Sequence, residues 1–230
     1  CALQYHSTTH MTLAAQNGHV ELMQFLYDHG CEEDVNHQDE RGMVPMMYAA
    51  QQDNMEVLEF LYAHGGEKSV TYCRPTDGVS SLGAAIASGK LNIVKWFVEH
   101  GASVTSISTM GCTPMIIAAQ GNGSTLEDDK EDDGKARSKS YLDIMKYLCE
   151  MGAEESLHKP MNDGSTPMHY VAYNGDVETA KWMKEKDVSF VVAASDSRTP
   201  MLCATMTGCV EMMDYLYYNG AGSDLNRMYF

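Results

Sequence analysis

The chain has 230 residues, of which 44% are hydrophobic, and carries 32 acidic against 16 basic residues for a formal charge of -16. That composition supports a continuous core and argues against global disorder. The charge argues against DNA, RNA or an anionic membrane surface as partner, because phosphate affinity comes largely from Lys and Arg. It leaves two uses: keeping the protein soluble, or attracting a basic protein.

Taken in chain order, short stretches of small residues recur. Ala14-Ala15-Gln16-Asn17-Gly18 is followed by Ala49-Ala50-Gln51-Gln52-Asp53 and Ala85-Ile86-Ala87-Ser88-Gly89. Next come Ala118-Ala119-Gln120 through Gly123, Val171-Ala172-Tyr173-Asn174-Gly175, and Ala204-Thr205-Met206-Thr207-Gly208. Their last positions step by 35, 36, 34, 52 and 33 residues, and the outlier falls to 35 once Ser124–Ser140 is set aside as an insertion. A fixed step of this size marks stacked repeats. The expected units are 1–38, 39–73, 74–108, 109–159 with insertion 124–140, 160–193 and 194–230, in a single array.

Each unit reads as two helices. Thr-Pro-Met opens the first at Thr113, Thr166 and Thr199, where the hydroxyl can take an orphan N–H and Pro presets the first turn. Met at the next position is expected to fill core gaps. Ala one turn later permits close approach of a neighbouring helix. A second, amphipathic helix, such as Val20–Leu26, then closes at a glycine suited to a left-handed cap: Gly30, Gly65, Gly101, Gly152 and Gly220. Turn glycines (Gly42, Gly78, Gly111, Gly164) lead into the next unit.

These residues resemble the ankyrin-repeat family, whose units run Gly-x-Thr-Pro-Leu-His-x-Ala-Ala, a Gly-bounded second helix, and a Gly-Ala-Asp-Val-Asn exit. The resemblance covers nearly the whole chain apart from the insertion. It implies an all-α solenoid of helix-turn-helix units joined by hairpin-like turns. Several units depart from the pattern: Thr9-His10-Met11-Thr12 lacks Pro, Val44 replaces Thr, Ser80-Ser81 replaces Thr-Pro, and Lys186-Asp187 replaces a capping Gly. Only the fifth unit keeps the family histidine, at His169.

The sixth position of every second helix is aromatic: Phe25, Phe60, Trp96, Tyr147, Trp182 and Tyr215. An inter-repeat ladder is expected, with an exposed docking strip as the alternative. His29, His64 and His100 precede cap glycines, where a helix C-terminus favours positive charge; spread one per repeat, they do not suit a metal. The insertion Ser124–Ser140 holds six acids and four bases with Leu126 as its one sizeable apolar residue, and is expected to be a solvated, mobile loop. The alternatives are ordering against a partner or phosphorylation at Ser138 or Ser140. Asp129-x-Glu131-x-Asp133-Gly134 fails as a calcium loop, because Ser140 stands where a bidentate Glu is needed.

Seven widely spaced cysteines without Cys-x-x-Cys point to reduced thiols, hence a reducing compartment such as the cytoplasm, with an organelle interior as the alternative. No nucleophile elbow, phosphate loop or His-Glu-x-x-His occurs, so no catalytic residue, cofactor or metal is expected. The chain begins at Cys1 without an initiator Met and ends on apolar Met228, Tyr229 and Phe230. From these ends a lost segment before Cys1 and continuation of the array beyond Phe230 are expected. No run is long enough and apolar enough to span a membrane.

The family resemblance implies a non-catalytic protein-binding module, its partner meeting the exposed first-helix positions and the turn tips. Carried over, these are Gln16, Asn17, Gln51, Gln52, Ala87, Ser88, Gln120, Tyr173, Asn174, Met206 and Thr207 on first helices. The tips supply Asp39, Glu40, Arg41, Thr76, Asp77, Thr109, Met110, Asn162, Asp163, Asp196 and Arg198. Such positions are expected to be free of capping or packing duties, with most weight on the fifth and sixth units. The alternative is a structural subunit built permanently into a larger assembly.

Overall fold

The computed structural model describes residues 8–121 and 131–226. The described residues are helical, with an isolated bridge between Cys73 and Ser80 as their sole β pairing. The chain divides into two compact units, Cys1–Thr109 and Met110–Phe230. That division falls next to the boundary expected between the third and fourth repeats.

The first unit contains α1 (His10–Asn17), α2 (Val20–Asp28), α3 (Pro45–Gln51), α4 (Met55–Leu61), the single turn α5 (Glu67–Val70), α6 (Ser81–Ala87) and α7 (Leu91–Glu99). The first helices stack in order, α1 on α3 and α3 on α6, and each pairs with its own second helix. The small residues make this possible: Ala14, Ala15, Ala49, Ala50, Ala84 and Ala85 are all buried in the stack. Phe97 and Met11, Met23, Met46 and Met47 are fully buried and fill the space between layers, as the methionine-rich pattern predicts.

The second unit contains α8 (Pro114–Gln120), α9 (Glu131–Leu148), α10 (Pro167–Tyr173), α11 (Val177–Glu185), α12 (Pro200–Thr207) and α13 (Val210–Leu216). Here α8, α10 and α12 form the stack.

The caps follow the sequence. Thr9, Thr113 and Thr199 accept the N–H three residues on, as do Ser80 and Asn54. Val44 opens α3 with no side-chain bond. The second-helix glycines are left-handed, with φ of 91° at Gly30, 95° at Gly65, 96° at Gly101, 95° at Gly152 and 112° at Gly220. Where glycine is missing the backbone is still left-handed: Asp53, after the first helix α3, and Asp187, after the second helix α11, both sit at φ 57°, and Ser197 takes a turn position at φ 68°.

Two expectations are corrected. The insertion is not a loop throughout: Glu131–Ser140 belongs to the 18-residue helix α9. Residues 124–130 lie outside the described residues. A helix already nucleated by its packed C-terminal part gains one hydrogen bond per added residue, and Lys, Arg and Ala there are good helix formers. The aromatic row is also not one continuous ladder. Phe60 and Trp96 are buried, Tyr147, Trp182 and Tyr215 are half-buried, and Phe25 is 55% exposed. Ring contacts between successive repeats instead join Tyr27 to His64 and Tyr62 to both Trp96 and His100.

Candidate protein-binding face

The exposed ends of the first helices and the turn tips differ in how much of their chemistry the fold already uses. In the first unit Gln16, Asn17, Gln51 and Gln52 are exposed at the ends of α1 and α3. Asn17 donates Nδ2 to the Leu13 carbonyl at 2.8 Å. The amides of the three glutamines make no hydrogen bond among the described residues. Ala87 is exposed, while Ser88 is half-buried and donates its hydroxyl to the Ala85 carbonyl at 2.6 Å.

The turn tips use their carboxylates internally. Asp39 Oδ1 accepts from the Arg41 and Met43 amides, both at 2.9 Å, and Oδ2 accepts from the Tyr48 hydroxyl at 2.6 Å. Burial and the Asp39 carboxylate push the Tyr48 hydroxyl up to about 12. Arg41 and Glu40 are left exposed beside this turn. Asp77 accepts from the Val79 amide at 3.0 Å and pairs with Arg74. Burial works against the charge, but Arg74 and the Val79 amide hold the Asp77 carboxyl below its ordinary value. The main-chain carbonyl of Asp77 takes both the amide and the hydroxyl of Thr109 at 2.9 Å.

The second unit repeats this stitching. The Asn162 amide donates to the Met110 carbonyl at 3.0 Å, and the Ser195 amide to the Asp163 carbonyl at 2.8 Å. Asp163 also accepts from the Ser165 amide and hydroxyl, and Arg198 lies 3.9 Å from it while bonding Asp196. Bonds from the Arg198 backbone and guanidinium hold Asp196 below its ordinary value. On the first helices, Gln120 bonds Tyr170, and Asn174 donates Nδ2 to the Ala119 carbonyl of the preceding repeat at 3.0 Å. Tyr173 is half-buried. Met206 is 61% exposed, and Thr207 is exposed with its hydroxyl on the Ala204 carbonyl.

The carried-over residues are therefore not free of structural duty as a group. Asp77, Asp163, Arg198, Gln120 and Asn174 all work inside the fold. Asp two residues before a turn amide is the signal for this use, because its side chain can mimic a backbone turn. Gln16, Gln51, Gln52, Arg41 and Met206 are exposed without such engagement of their side chains. Within the second unit a narrow crevice runs among Ala118, Ala119, Tyr141, Met145, Val171, Asn174, Asp176 and Thr179. Its polar groups are occupied, since Asp176 caps α11 through the Thr179 amide and hydroxyl. A Cβ on Gly121 would meet the Tyr141 ring at 2.2 Å, so glycine lets Tyr141 close over the end of α8.

The six described cysteines are thiols outside any disulfide. Burial pushes the Cys112 and Cys149 thiols up to about 11, which keeps them protonated and poorly nucleophilic. Among the described residues no group of three or more His, Cys, Asp or Glu converges, and no helix is long and apolar enough to cross a membrane.

The family model for ankyrin repeats, in three copies, matches residues 3–72 and 135–228. The chain belongs to the ankyrin-repeat family. Ankyrin repeats generally mediate protein–protein interaction and are typically non-catalytic. A chain of the solved complex of the predatory endopeptidase Bd0816 of Bdellovibrio bacteriovorus with the immunity protein Bd3460 superposes with a TM-score of 0.68 at 21% identity, over 92% of this chain and 98% of that one. This likeness shows the ankyrin fold alone. The candidate E3 ubiquitin-protein ligase XBAT34 of Arabidopsis thaliana is 24% identical over 123 residues, 54% of this chain. The chain spans only 28% of the length of that relative.

Proposed function

We propose that the protein is a non-catalytic recognition module that holds a protein partner against its first-helix ends and turn tips. The observation that carries this reading is that Gln16 and Gln51 at the ends of the stacked helices α1 and α3, Gln52 just after α3, and Arg41 at a turn tip are exposed, the three glutamine side chains making no hydrogen bond among the described residues. Unused amides can pair with a peptide backbone or with polar side chains at little cost in desolvation. The net charge of -16 favours a basic partner over nucleic acid. Free thiols suit a reducing compartment. The ligase activity in the name of XBAT34 belongs to a protein of which this chain matches a minor part, and only a recognition role is inferred here.

Capture of partners from native extract, followed by titration with the purified partner, tests this. Replacing Gln51 and Gln52 together by Ala is expected to weaken binding roughly tenfold, about 1.4 kcal/mol. Unchanged affinity would place the contact elsewhere. One observation favours the second reading, a subunit fixed in an assembly: Met206, Val210, Tyr217, Tyr218 and Leu225, all in the last repeat, are each at least 47% exposed. Recovery only as part of a stoichiometric complex would support it.

A further inference from the structure

After its second helix each repeat runs through a short segment towards the next turn tip. In three repeats that segment curls into one helical turn, at Glu32–Asn36, Glu67–Val70 and Glu154–Leu157. Residues 188–194, after α11, form no such turn. Val188, Phe190 and Ala194 are buried, with the Phe190 ring 6.0 Å from that of Tyr215. Between them Val191 is 46% exposed, Val192 is 36% exposed, and Ala193 is exposed. The segment is pinned at both ends. The Val188 amide donates to the Met183 carbonyl at 3.1 Å, and the Ala194 amide to the Arg198 carbonyl at 2.8 Å. From Phe190 to Ala193 the backbone makes one hydrogen bond among the described residues, a long one of 3.5 Å from the Val191 amide to Ser189 Oγ.

Residues 102–108, after α7, make matching bonds. The Thr105 amide reaches Ser103 Oγ at 3.3 Å, and the Thr109 amide meets the Asp77 carbonyl as the Ser195 amide meets that of Asp163. There Thr105 and Ser106 stand where the later segment has Val191 and Val192. The fold therefore does not require the valines. An unpaired backbone edge that carries β-branched apolar side chains, without proline or charge, is a template for another strand.

We propose that residues 190–194 pair with the same segment of a second copy, antiparallel, about a two-fold axis near Val192. Val191 of one molecule then faces Ala193 of the other. The occupant is a second copy because the surroundings of the segment are neutral. Lys184, Lys186 and Arg198 offset Glu185, Asp187 and Asp196, in a chain whose net charge is -16. A basic partner gains nothing from such a patch, whereas two copies meet there without local repulsion. Repulsion between the whole molecules remains, so salt tightens the dimer. One short segment a side is a small contact, which makes the dimer weak.

Sedimentation equilibrium of the whole chain up to about 1 mM, at low and molar salt, tests this. A dimer that grows with concentration, tightens with salt and does not extend further is expected. Val191→Thr combined with Val192→Ser copies the Thr105–Ser106 pair, and circular dichroism checks that it folds. It raises the dimer Kd at least about tenfold. Val191→Lys weakens the dimer as well, by placing two cations in the contact. Mild oxidation of Val192→Cys joins the two new thiols across the axis, a link identified by mass spectrometry after digestion. Three results would overturn the proposal: a monomer under every condition, a dimer equally tight in the double variant, or a dimer of Val192→Cys whose new thiols do not join.

Discussion

At the scale of single residues, His169 shows how one side chain ties two repeats. Its Nδ1 accepts from the Thr166 amide at 3.0 Å, and its Nε2 donates to the Arg198 carbonyl of the next repeat at 3.1 Å. This fixes the neutral tautomer with the proton on Nε2, because a proton on Nδ1 would face the amide donor. Burial lowers the folded-state value below the ordinary 6.5, only partly opposed by the Arg198 carbonyl. The sign follows. Above 6.5 both states are neutral and the contribution is complete; as pH falls below 6.5 the unfolded chain binds the proton first and stability is lost until the folded value is reached. The difference in urea stability between the unaltered protein and His169→Asn is expected to shrink over that window, with a slope no steeper than ~1.4 kcal/mol per pH unit, the limit for one proton. A difference that does not change with pH would remove His169 as its source. The same scale holds the left-handed Asp53, Asp187 and Ser197, which accept about 1–2 kcal/mol of strain where other units use glycine.

At the scale of elements, the start of each first helix is decided by one hydroxyl. Thr199 accepts the Leu202 amide and Thr113 the Ile116 amide, while Val44 has no side-chain acceptor and the Met47 amide bonds the Val44 carbonyl instead, at 2.9 Å. Val44→Thr keeps the branched shape and adds the missing acceptor. It is expected to stabilise by about 1 kcal/mol, read as a higher urea midpoint with an unchanged slope. A lower midpoint would mean the hydroxyl finds no partner at that buried site. The second helices end by a device the sequence reading named only in part. Proximity of His to the helix C-terminus suggested a charge effect. The structure shows Nδ1 donating to the carbonyl one turn back at His29, His64 and His100, and the Asn219 amide doing the same for Tyr215. A neutral ring or amide suffices for that.

At the scale of the whole molecule, the charge of -16 acts on every repeat at once. Among the described residues, ion pairs such as Lys181–Glu178 and Lys186–Glu154 are solvent-exposed and offset little of the repulsion. Melting temperature is expected to rise by a few degrees between low and molar salt, as screening relieves self-repulsion in the folded state. A flat response to chloride salts would show that the acids are spaced widely enough not to matter. The repeat period, helix starts, left-handed glycines and all-helical fold could be read from residue order, because each depends on backbone preferences acting over a few residues. Exposure could not. Phe25 and Phe60 share one phase, yet the second is buried and the first is 55% exposed. Asn174 and Gln51 both sit at first-helix ends, yet the first is held by the Ala119 carbonyl and the second is free. Burial and hydrogen-bond occupancy are set by what lies across the stack, and only the folded structure brings those neighbours together.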